Sequence, residues 1–156
     1  MGKCTAEVAR IAGFRVVLYE DREFMLKDIH PQIEIVRLDL EDAHAVETTM
    51  EAISKLSHQF IVIVTRGHRC DATCIRAVFL QEKMPEYVGL IGSRIKLGKT
   101  WEKMLEEFGS SVQQKIDQVC APIGLENIGG DQPGQIAVAI TAQMIQRLTG
   151  GKKRYM

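Results

Sequence analysis

Tyr87-Val88-Gly89-Leu90-Ile91-Gly92-Ser93-Arg94 is the stretch on which the reading of this chain turns. Its first five residues form an apolar run of strand-forming character. Gly92-Ser93 then sets a small residue and an N-capping side chain in front of a helical pattern. A strand that passes into a helix through glycine leaves the helix's first backbone N–H groups pointing outward, where an anion can reach them. The stretch therefore predicts an α/β architecture and, with it, a seat for a phosphate.

A second turn of this kind, Ala121-Pro122-Ile123-Gly124-Leu125-Glu126-Asn127-Ile128-Gly129-Gly130, ends where another helix is expected to begin. Working outward, strands are expected over residues 15–19, 34–38, 60–65, 87–91 and, more weakly, 119–121. Helices are expected over 3–12, 41–56, 71–81, 93–108, 111–117 and 132–149, with Gly13 and Gly109 as stops and Asp71 and Ser93 as N-caps. Residues 21–31 read as a surface loop with a helical turn. Alternation of strand and helix argues for parallel strands joined by crossover helices. Ile61-Val62-Ile63-Val64 is apolar on both faces and is expected in the middle of the sheet.

The chain has 156 residues, a length that fits one domain spanning 1–156 with a flexible tail over 150–156. Its 46% hydrophobic and 26% charged residues are those of a folded globular protein. Twenty basic residues balance twenty acidic ones, so no broad attraction to nucleic acid or to an anionic membrane is built in. Lys152-Lys153-Arg154 reads as a frayed, solubilising end. No apolar run reaches the roughly 18 residues of a membrane span and no signal peptide opens the chain, so a cytoplasmic location is expected, with the four cysteines as thiols.

In open α/β sheets ligands sit beyond the carboxyl ends of the strands, and polar residues gather there in this sequence. Glu20-Asp21-Arg22 follows one strand, Thr65-Arg66-Gly67-His68 with Asp71 a second, Gly92-Ser93-Arg94 with Lys96 a third, and Pro122-Ile123-Gly124, leading to Gly129, a fourth. Glu20 suits a sugar hydroxyl. Arg94 and Lys96 are cations in a helix's first turn, an unfavourable place for them unless an anion is bound nearby. Together these loops are expected to line one cofactor crevice.

The first residues resemble a dinucleotide-binding unit that starts late: Gly2 opens a helix and the strand after it ends in acidic Glu20, whereas the full fingerprint places G-x-G-x-x-G behind a first strand. Gly2 can be only its last glycine. The expectation is an N-terminally truncated domain.

Thr65-Arg66-Gly67-His68 with Asp71, then Tyr87 to Arg94 with Lys96, then Ala121 to Leu125, Ile128-Gly129, Pro133 and Ile136-Ala137-Val138 closely resemble, in order, the C-terminal Rossmann domain of the xanthine dehydrogenase accessory proteins, the XdhC/CoxI family. Gly13-Phe14-Arg15-Val16 and Glu20-Asp21-Arg22 extend the likeness over nearly the whole chain. The resemblance implies a Rossmann-like three-layer domain with a mostly parallel sheet. It also implies a role in maturing molybdenum hydroxylases: binding molybdenum cofactor, as molybdopterin or its dinucleotide, during sulfuration and insertion. The partners implied are an apo molybdenum hydroxylase of the xanthine dehydrogenase type and a sulfurtransferase, and the role is that of a non-catalytic chaperone. An NAD(P)-binding oxidoreductase domain and a non-catalytic, homodimerising fragment stand as the alternatives.

Other patterns read more plainly. Gly98-Lys99-Thr100 lies one residue too far from Gly92 for a phosphate-binding G-x-x-x-x-G-K-[ST] loop. Cys70 and Cys74, with His68 nearby, share a helical face but lack a fourth ligand for zinc, and read as core cysteines. No catalytic residue and no metal ligand is assigned.

Overall fold

A computed structural model describes residues 1–150, apart from the side chain of His68. The basic Lys152-Lys153-Arg154 and, Gly150 apart, the rest of the expected tail lie outside the described residues. Every expected element is present, most of them trimmed at the ends. In chain order they are α1 (Gly2–Ile11), β1 (Val17–Tyr19), β2 (Glu34–Val36), α2 (Ala43–Ser54), β3 (Phe60–Ile63), α3 (His68–Phe79), β4 (Tyr87–Leu90), α4 (Arg94–Phe108), α5 (Gln113–Ile116), β5 (Val119–Cys120) and α6 (Pro133–Thr149). Short 3-10 turns occupy Glu23–Leu26, inside the expected loop, and Ser110–Val112, ahead of α5.

The chain divides into two compact units, one spanning Met1–Arg37 and resuming at Gly124, the other spanning Leu38–Ile123. In the first, β1 and β2 form a parallel pair in the register Val17–Glu34 to Tyr19–Val36. Helix α1 packs on β1 and on α6. Small buried residues on the two helices, Ala6 and Ala9 on α1 and Ala137 on α6, let the helices approach closely. Gly13, at a φ of +91°, carries the chain out of α1, as its position after the helical pattern implied.

In the second unit β3, β4 and β5 form a parallel sheet in that order. Residues of α2, α3 and α4 bury Val46, Met50, Ile75, Val78, Leu97 and Met104 against Val88 and Leu90 of the central strand. All four residues of β4 are buried, and Gly89 is what permits it. A Cβ there would lie 2.3 Å from Ile123 Cδ1 and 2.6 Å from the Tyr87 hydroxyl.

Two expectations are corrected here. Ile61-Val62-Ile63-Val64 was expected mid-sheet, but β3 lies at an edge and β4 holds the centre. The Tyr87 and Ile91 amides donate to the Gln59 and Ile63 carbonyls, so odd-numbered residues of β3 face β4 and the Val62 amide points away from it. Asp71 was expected to cap α3, but the helix begins at His68 with Gly67 as its N-cap. Asp71 lies inside the first turn, its amide donating to the Gly67 carbonyl at 3.0 Å. Ser93 caps α4 as expected, its hydroxyl accepting from the Lys96 amide at 3.4 Å, and Gly109 closes that helix at a φ of +71°.

Candidate functional site

Parallel pairing sends the chain out of β3, β4 and β5 on the same side of the sheet, and most of the singled-out residues follow these three strands. After β3, the Thr65 hydroxyl donates to Asp71 Oδ1 at 2.5 Å and lies 3.2 Å from the Gly67 carbonyl. Asp71 is buried. A buried carboxylate is costly unless hydrogen-bonded, and here the bond folds the loop onto the helix start. Arg66 reaches Glu41 at 3.5 Å. His68 is the first residue of α3.

After β4, Gly92 turns the chain at a φ of +159°, and a Cβ there would press on the Leu97 side chain at 3.2 Å. Ser93, Arg94 and Lys96 are all exposed, and Ile95 between the two cations is 78% exposed. These cations therefore stand in solvent at the positive end of a fifteen-residue helix, the arrangement that favours an incoming anion. After β5, the Ala121–Pro122 peptide is cis, and the Ile123 amide donates back to the Leu90 carbonyl at 3.1 Å. That bond ties Pro122 to the end of β4.

Cys70 and Cys74 are buried, as core residues should be, and none of the four cysteines forms a disulfide. Burial, and then the negative charge of Asp71, push the Cys74 thiol up to about 12, so it stays protonated at neutral pH.

Gly2, Glu20, Asp21, Arg22, Gly124 and Gly129 belong to the other unit. The Glu20 amide extends the β1 ladder by donating to the Val36 carbonyl at 3.1 Å. Its carboxylate is gripped by Arg22 from three donors: Nε to Oε1 at 2.7 Å, Nη2 to Oε2 at 2.8 Å, and the Arg22 amide to Oε1 at 3.1 Å. Chiefly through the guanidinium bonds, the Glu20 carboxyl is held at about 2. Asp21 Oδ1 lies 3.9 Å from Arg22 Nε, and the guanidinium sits 5.7 Å from the centre of the exposed Phe24 ring.

Gly2 is the first residue of α1 and receives no side-chain cap from Met1. Gly129 lies in an exposed turn where a Cβ would meet nothing. Gly124, at a φ of +103°, runs against α6, where a Cβ would be 3.4 Å from that of Ala139. Its peptide is clasped by Gln143, whose Oε1 accepts from the Gly124 amide and whose Nε2 donates to the Gly124 carbonyl, each at 3.0 Å. The Gly124 N–H is therefore engaged with α6. Gln143 was not singled out from sequence, since a lone amide on an amphipathic helix carries no signal until its partner is known.

The XdhC Rossmann domain model matches residues 1–144. The uncharacterized protein YqeB of Escherichia coli strain K12 is 24% identical over 146 residues, covering 94% of this chain and 25% of that protein. Among solved structures, a xanthine dehydrogenase from Bacillus halodurans matches with a TM-score of 0.69 and 22% identity, covering 97% of this chain and 40% of the other. At that identity the likeness is one of fold. The chain spans a quarter of the curated relative and two fifths of the solved structure. Among the described residues, no helix is long and apolar enough to cross a membrane.

Proposed function

Because this chain belongs to the XdhC Rossmann domain family, we propose that it binds molybdenum cofactor, as molybdopterin or its dinucleotide, in support of the maturation of a xanthine dehydrogenase-type hydroxylase. The observation that carries this reading is the start of α4, where Gly92 and capping Ser93 precede two solvent-exposed cations, Arg94 and Lys96. A phosphate placed there would meet outward N–H groups and two positive side chains, which fits the phosphate that every form of the cofactor carries. The Thr65–Asp71 clasp keeps the neighbouring loop folded beside it. When bound, the cofactor would supply the molybdenum chemistry of the client enzyme. The residues of this chain would hold and orient it.

The role is that of a cytoplasmic accessory protein, with the apo hydroxylase and a sulfurtransferase as partners during cofactor sulfuration and insertion. A second reading, an NAD(P)-binding domain, draws support from Glu20 at the carboxyl end of β1, where an acid can accept a ribose hydroxyl. Thermal unfolding with molybdopterin, NADH and NADPH separates the two, since a ligand of the folded state raises the midpoint by mass action. A rise with molybdopterin that is lost in Arg94→Glu is the expected result. A rise with NADH or NADPH alone would replace the first reading with the second, and no rise with any of them would sink both.

A further inference from the structure

Helix α6 is apolar on two sides. Its inner side buries Ala137, Ile140, Thr141 and Met144 in the unit it shares with α1. The outer side carries Val138, 48% exposed, and Ile145, 40% exposed, with half-buried Ala142 between them. Leu148, 57% exposed, widens this face towards the end of the helix. Single apolar residues are common on protein surfaces, but these fall in line. Gly134, Val138, Ala142, Ile145 and Thr149 follow one another at steps of four, four, three and four residues, the spacing that keeps side chains in one seam along a helix.

No charge interrupts the seam. Arg147 is the one charged residue of α6, and, lying two positions beyond Ile145, it projects from the opposite side of the helix. Helix α4, of similar length, carries Arg94, Lys96, Lys99 and Glu102 in its first nine residues. A helix with one side in water normally places its charged residues there, so the outer side of α6 has the composition of a covered surface. The same absence of charge narrows what covers it. A partner presenting charged residues would bury them against Val138 and Ile145 with nothing to pair them. A second α6 brings none.

The seam also reads alike from both ends. Gly134 and Thr149, and likewise Val138 and Ile145, lie at equal distances in sequence from the midpoint between Thr141 and Ala142. A two-fold axis at that midpoint sets Val138 of each copy against Ile145 of the other and Gly134 against Thr149, with Ala142 at the crossing, where a small residue lets the helices come close. Nothing within the chain requires glycine at position 134, where a Cβ would meet no atom within 4 Å. Antiparallel pairing also places the positive start of each helix beside the negative end of the other.

We infer that the outer face of α6 is a self-association surface, on which a second copy of this chain docks antiparallel through Val138, Ala142 and Ile145. A single pair of 17-residue helices makes an interface at the small end of the stable range, so a dissociation constant on the order of 10 μM is expected.

Sedimentation equilibrium of the full chain, from about 1 to about 200 μM, tests it. The expected result is a mean mass that rises from 17.5 kDa towards twice that value. Val138→Glu and Ile145→Glu each put an unpaired charge in the seam and should weaken association by roughly a hundredfold or more. Both positions are exposed in the single chain, so the circular dichroism and thermal midpoint of dilute samples should stay at wild-type values. Mild oxidation reads the orientation: a mixture of Val138→Cys and Ile145→Cys chains should form disulfide-linked dimers, above the wild-type background, several-fold more abundantly than either variant alone. A chain that stays monomeric throughout, leaving the seam to a different protein or to a further segment of a longer chain, would overturn the inference. So would a dimer indifferent to both glutamates. Cross-linking of each variant with itself and not in the mixture would overturn the antiparallel arrangement. Cofactor binding plays no part in these measurements, so their failure leaves the cofactor reading where it stands.

Discussion

The carboxylate of Glu20 shows how one side chain can couple the stability of the chain to pH. Arg22 holds its carboxyl at about 2, down from 4.5. A group whose pKa is depressed on folding stabilises the native state above its unfolded value, and that contribution is lost as pH falls through the folded one. Glu20→Gln should therefore cost about 2 kcal/mol near neutrality, in the range of hydrogen bonds to charged groups. Urea titrations of the variant and wild type should show a constant gap from pH 7 to 5 and a narrowing gap between pH 4.5 and 3. The residue itself was legible in sequence as an acid closing a strand. Its pairing was not, because neighbouring Glu-Asp-Arg residues can pair in several ways and only backbone geometry decides which bonds are made. The same holds for Gly89, whose need to be glycine follows from Ile123, thirty-four positions further on.

Among the elements, the order of strands and helices was readable from alternating apolar runs, whereas the start of α3 was not. Asp71 is a good N-cap by type, but the helix begins three residues earlier because Thr65 bonds to Asp71 and draws the loop inward. The end of α3 is equally a tertiary matter. Lys115 Nζ, from α5, donates to the Phe79 carbonyl at 2.6 Å and the Gln81 carbonyl at 2.8 Å, placing a positive charge where a helix terminus is negative. Lys115→Met leaves those part-buried carbonyls short of a donor, and its expected cost is about 1–3 kcal/mol, read as a lower urea midpoint with unchanged slope. The misplacement of β3 has its own cause: residues that are apolar on both faces say that a strand is covered, not that it is flanked. Since the Val62 amide points away from β4 and those of Ile61 and Ile63 towards it, hydrogen exchange should be faster at Val62 than at either neighbour.

At the scale of the whole chain, family membership and the α/β class were recoverable because several separated motifs recur in order. The division into two units was not, since no linker of unusual composition marks Arg37–Leu38 or Ile123–Gly124. One unit is continuous in sequence, and the other is assembled from the two ends of the chain, with α1 packed on α6. This arrangement has a kinetic consequence. Contacts between α1 and α6 must close a loop containing the entire stretch from Leu38 to Ile123, and the entropy lost in closing a loop rises with its length. Once that stretch has folded, it is compact and the remaining closure costs less than across an unfolded chain. Pulse-labelled exchange during refolding should therefore show protection at Val88 and Ile75 before Ala6 and Ile140, with simultaneous protection counting against this order. During synthesis α1 would wait, without its partner, until α6 had emerged.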